Sequence, residues 1–108
     1  MRVYHPLGSY QGLPQENVFF VTDDMDIQQG LGFVMPFFQP DMFPQRPMHL
    51  YMQLEAPPSC QYMLFGALLA RAYQIRAETP HIPTRMYTQL SVDDARGMAF
   101  FTGNGFAP

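Results

Sequence analysis

The sequence predicts an α+β domain with a mixed sheet, and three stretches carry that prediction. Met48–Glu55 (MHLYMQLE) alternates apolar and polar residues, the two-residue period of a strand with one buried face. Ser59–Ala77 (SCQYMLFGALLARAYQIRA) is a long helix-forming run in which Tyr62, Phe65, Leu68, Leu69, Ala72, Tyr73 and Arg76 recur at helical spacing. Thr84–Leu90 (TRMYTQL) is a further strand, with Met86, Thr88 and Leu90 on one face. Strand, helix, strand at this spacing is a right-handed crossover that joins parallel neighbours. The rest of the chain is expected to pack on that unit.

In chain order, Met1–Gln15 contains Pro6, Gly8, Gly12 and Pro14 and reads as irregular, with at most a short strand at Arg2–Tyr4. Asn17–Thr22 (NVFFVT) is β-branched and aromatic, a strand by composition. Asp23–Asp26 is a turn of short acids that bond their own backbone. A second strand at Gln29–Phe37 completes a hairpin, its register broken at Gly30 and Gly32. Gln39–Pro47 carries three prolines and is a loop. In Met48–Glu55, Met48, Leu50, Met52 and Leu54 take one face and His49, Tyr51, Gln53 and Glu55 the other. Pro57 and Pro58 close that strand, Ser59 is placed to cap the helix, and Thr79-Pro80 stops it. After a linker at Pro80–Pro83 and the last strand, Ser91 and the acids behind it open a final helix, which Gly103, Asn104 and Gly105 end, one of them left-handed.

Composition narrows the function. A chain of 108 residues makes one small domain, and with 47 % hydrophobic residues it can pack a core. Net charge is -3 and the basic residues are scattered arginines, which argues against nucleic acid as a partner. The single cysteine, Cys60, excludes an internal disulfide, and no Cys/His spacing suggests a structural metal. No apolar run is long enough to span a membrane and no signal peptide precedes the first strand, so a cytoplasmic location is expected. Ten Phe, six Tyr and nine Met exceed what so short a chain buries alone, and a second copy is the simplest cover for them.

The element order, together with Ala95–Phe106 (ARGMAFFTGNGF), resembles the GNAT superfamily of acyl-CoA-dependent N-acetyltransferases. In the family's late motif, N-x-x-A-x-x-F-Y-x-K-x-G-F, Asp94 stands at the Asn, Gly97 at the Ala, Phe100 at the Phe, Phe101 at the Tyr, and Gly105-Phe106 at the Gly-Phe. Leu68-Leu69 matches the leucine pair of the family's central helix. The resemblance implies a truncated GNAT-like arrangement, acetyl-CoA as acyl donor and a small-molecule or protein amine as acceptor. It places Glu55, at the end of a strand before the cofactor turn, as a general base. In the family that turn reads Q/R-x-x-G-x-G/A, its glycines letting backbone N–H groups reach a pyrophosphate. Here Cys60, Met63 and Phe65 take those positions and, with Leu54 in the preceding strand, make up the implied cofactor-binding set. Met63 and Phe65 would obstruct the cradle, and Phe101 lacks the hydroxyl that in many members protonates the departing thiolate. Weak or absent acetyl-CoA binding is therefore expected. The family's opening strand with two helices, and its closing strand pair, are also expected to be missing.

Each candidate has a plainer alternative. Glu55 also fits a solvated strand end, Cys60 either a nucleophile at a helix N-terminus or a buried inert thiol, and His49 and Tyr51 either pocket wall or packing. The Phe33–Met48 stretch (FVMPFFQPDMFPQRPM) fits core or an apolar ligand or partner surface equally. Two functions stay open: acyl transfer to an amine, or a non-catalytic GNAT-like fold for self-association or partner binding. A homodimer is expected either way, because Thr84–Leu90 would leave a regular sheet edge with neither proline nor lysine to blunt it.

Overall fold

Each strand of the sheet lies beside its neighbour in sequence, in the order β1 (Arg2–Tyr4), β2 (Val18–Thr22), β3 (Gln28–Phe38), β4 (Met48–Glu55) and β5 (Thr84–Tyr87). This computed structural model describes residues 1–107. The first three pairings are antiparallel, whereas β4 and β5 run parallel, joined through α1 (Pro58–Glu78). A second helix, α2 (Ala95–Gly103), follows β5. The fold is α+β with a mixed sheet, and the predicted parallel crossover is its centre.

The β2–β3 hairpin turns on Asp23. Its carboxylate accepts from the N–H groups of Met25 and Ile27, at 2.8 and 3.0 Å, and from Gln29 Nε2 at 2.9 Å. The Ile27 N–H, ahead of the other two donors, holds this carboxyl below the usual carboxylate range. The register slips between Val21 and Thr22, so the irregularity lies at Gln29, while Leu31–Phe38 pairs with β4 without a break. Gly30 and Gly32 therefore do not break the strand. A Cβ on Gly32 would sit 2.8 Å from both Gln53 O and Leu68 Cδ1, so this glycine lets β4 and α1 close on β3. Pro36 is tolerated inside β3 because it lies past the end of β2, where β3 has only one neighbour.

Helix α1 buries Cys60, Leu64, Phe65, Leu68, Ala72 and Ile75 on the sheet, against Phe19, Val21, Val34, Leu50 and Met52. Burying each leucine contributes roughly 1.5–3 kcal/mol. This corrects the expected stripe: Tyr62 and Tyr73 are 71 % and 54 % exposed. Apolar residues lie nearly all round this helix, so spacing alone leaves its inward face undetermined. Arg71, which is not among the stripe residues, is half-buried, and its Nε donates to buried Asn17 Oδ1 at 2.7 Å.

Three other expectations change. The helix N-cap is Pro57, with no side-chain cap from Ser59. Strand β5 stops at Tyr87 rather than Leu90. Asp94, not Ser91, caps α2, accepting from Gly97 N at 2.8 Å. The short strand allowed for at Arg2–Tyr4 is present on the β2 edge, and it brings the sheet to five strands among the described residues.

Candidate functional site

Strand β4 outruns its neighbour. Its first half, Met48–Tyr51, pairs with β5, but among the described residues Met52–Glu55 have no strand on that side. Backbone groups alternate direction along a strand, so half of the amides here face an unpaired edge. The chain then turns through Ala56 and Pro57 into α1, the turn to which the resemblance assigns a cofactor pyrophosphate.

That turn does not fit such a group. A pyrophosphate cradle needs several backbone N–H donors converging at the start of a helix. Pro57 and Pro58, at the N-cap and first helical position, have none. The Cys60 N–H donates to Pro57 O at 2.9 Å, and no glycine opens the turn. The implied cofactor-binding residues also disperse. Leu54 and Phe65 pack in or against the core, Cys60 is buried within it, and Met63 is 43 % exposed.

Glu55 stands apart from all four, exposed on the face of the sheet that carries no helix. It ends a polar string along that face. The Tyr51 hydroxyl donates to Gln53 Oε1 at 3.3 Å, and Gln53 Nε2 donates to Glu55 Oε1 at 2.6 Å. Burial, then the neighbouring Tyr87 and Glu55, push the Tyr51 phenol above its ordinary value. Glu55 also borders a hollow of about 410 Å³ with Gly30, Leu31 and Pro57, on the β3 side of its strand.

Beyond the end of β5, aromatic rings fill the space between α1 and α2. The Phe65 ring lies 5.5, 6.1 and 6.3 Å from those of Phe100, Phe101 and Phe106, and Tyr62 stacks on Phe100 at 5.1 Å. The end of α2 fixes this plug. Gly105, at a φ of 95°, lets its own N–H reach Thr102 O at 3.2 Å and the Phe106 N–H reach Phe101 O at 3.0 Å. The same closure brings Phe106 onto Phe101, rings 5.1 Å apart. The glycine-asparagine-glycine ending was legible in the sequence; the plug was not, because it needs two helices to meet.

Sequence reasoning also missed a groove of about 720 Å³ along β5, walled by Leu69 and Tyr73 of α1 and by Met98 and Phe106 at α2. Three separate elements make it, so no local signal announces it. Among the described residues, no three His, Cys, Asp or Glu side chains gather as a metal site, and no helix is long and apolar enough to cross a membrane.

A solved structure described as a probable acetyltransferase is similar to this chain, with a TM-score of 0.54 and 20 % identity, over 84 % of this chain and 59 % of its own. The chain thus spans less than two thirds of that protein, and the likeness shows an acetyltransferase-like fold. No family model and no curated protein matches the sequence.

Proposed function

Taking the acetyltransferase-like fold as the premise, we propose that this chain is a reduced GNAT-like domain that works as a self-association module rather than as an acyl-CoA transferase. The observation that carries this reading is the plug of Phe65, Phe100, Phe101 and Phe106, beside a helix start whose two prolines offer no N–H. The prolines remove N–H donors that a CoA pyrophosphate would need, and the rings leave only the groove along β5, which Phe65, Phe101 and Phe106 themselves line.

The surface for self-association is β5 and its groove. β5 is the last strand of the sheet, so one side of its backbone is unpaired. Two copies related by a two-fold axis would pair these edges antiparallel, each covering the other's groove. A specific dimer needs roughly 600 Å² from each partner, a small part of the 6969 Å² that the chain exposes.

A second reading, acyl transfer from a CoA thioester to an amine with Glu55 as base, has one observation in its favour: the unpaired edge at Met52–Glu55. Thermal melting and sedimentation equilibrium separate the two. A clear concentration dependence of mass at micromolar protein, with no rise in melting midpoint at millimolar acetyl-CoA, is expected. A saturable midpoint rise with acetyl-CoA, or a monomer mass at all concentrations, overturns the first reading.

A further inference from the structure

The N-terminal end of β4 carries a second cluster, next to the β5 groove, with which it shares Arg46 and Arg85. There the loop 39–47 folds back over the helix-free face, held by Gln39 N–H to Pro47 O at 2.7 Å and Phe43 N–H to Gln39 O at 3.0 Å. This brings the Phe43 ring to 4.3 Å from the His49 imidazole, while the Tyr87 ring lies 5.7 Å away. His49 is consequently only 5 % exposed, yet its Nε2 has no hydrogen-bond partner among the described residues. A buried polar atom in that state is uncommon and points to a missing partner.

Two cations stand beside it. The parallel register sets Arg85 next to His49 on the same face, with its guanidinium 5.9 Å from the Tyr87 ring centroid. Arg46 reaches the same place from the loop, and together with His49, Met42, Phe43 and Pro44 they line a pocket of about 490 Å³. Among the described residues neither guanidinium forms an ion pair, although the chain carries a net charge of -3 and no carboxylate lines this pocket.

We propose that this pocket binds a small organic oxyanion, a phosphate or carboxylate borne on an apolar or aromatic body. Each guanidinium is a planar fork of donors that matches such a group bidentately, and two forks lining one pocket leave its positive charge uncompensated until an anion enters. The anion also offers an acceptor to the buried imidazole. Met42, Phe43 and Pro44 supply an apolar wall for the rest of the molecule, and the volume is that of a small-molecule site.

The test is titration of the intact chain with phenyl phosphate, benzoate and inorganic phosphate, followed by the ring-nitrogen resonances of His49. Phenyl phosphate or benzoate should bind saturably, the tighter of the two identifying the anionic group. Inorganic phosphate, which lacks the body, should bind roughly tenfold or more weakly. Arg46→Gln and Arg85→Gln should each weaken the tighter ligand by about tenfold or more. Both arginines are exposed, so the variants should keep the native melting midpoint, which is measured alongside. Absence of saturable binding by both organic anions overturns the proposal. So does unchanged affinity in the double arginine variant, or inorganic phosphate binding as tightly as phenyl phosphate.

Discussion

The two ends of β4 are unlike. At its C-terminal end, where an acetyltransferase-like fold leads one to look for chemistry, apolar rings fill the space, prolines replace donors, and Cys60 is buried. At its N-terminal end, an imidazole nitrogen is buried without a partner and two guanidinium groups lack counter-ions among the described residues. Apart from the strand-edge amides of Met52–Glu55, the first end is finished as packing. The second has unmet bonding capacity, and unmet capacity is a better pointer to a ligand than position in a fold.

The largest effect that bears on this contrast is expected at the plug. Phe65→Ala removes a buried ring that touches three other phenylalanines, and should lower stability by about 3–5 kcal/mol, read from the urea midpoint. A loss under about 1 kcal/mol would mean that the rings are loosely packed and the contrast is false. His49→Phe should do far less. The ring is kept in shape while the unpartnered nitrogen goes, so stability should stay within about 1 kcal/mol or rise. A loss of about 2 kcal/mol or more would show that the imidazole is bonded after all, and the two ends would then be alike.

The smallest effect lies between them, at Tyr51. Because its phenol is raised in the folded chain, the folded state keeps this proton at a pH where the unfolded chain has released it. Its contribution is whole below the ordinary phenol value near pH 10 and is lost as pH climbs through the raised value. Melting midpoints across that alkaline range should fall less steeply for Tyr51→Phe than for the parent. Equal slopes would mean that Tyr51 is as solvated as in the unfolded chain.

Most of the scaffold could be read from local pattern. The alternation in Met48–Glu55, the length of the run after Pro58 and the glycines at 103 and 105 are short-range signals, and the elements stand where these put them. The inward face of α1 could not be read, because leucine, phenylalanine, methionine and tyrosine surround it and only the sheet selects Leu64, Leu68, Ala72 and Ile75. Glycines 30 and 32 look like breaks until α1 and β4 are in place to need the room. Of the candidate site, the sequence placed His49, Tyr51, Gln53 and Glu55 on one face of the strand. It could not bring Arg46 and Arg85 together, since their meeting depends on a parallel register set across the whole of α1.

The sheet's strand order has a kinetic consequence. Strands β1 to β4 join neighbour to neighbour through antiparallel contacts, so each arriving segment finds its template already beside it in the chain. Only β5 must wait for the 21 residues of α1 to be laid down and folded back, and it then gains a mere four-residue pairing. Closing that longer loop for so short a pairing makes β5 late to dock, and it and the three-residue β1 are the strands that let go most readily. While β5 is undocked, the edge it belongs on is open to the same strand from another molecule. Slow refolding at high concentration would then favour exchange of β5 between copies, an intertwined form reached from the same sequence without a new contact type.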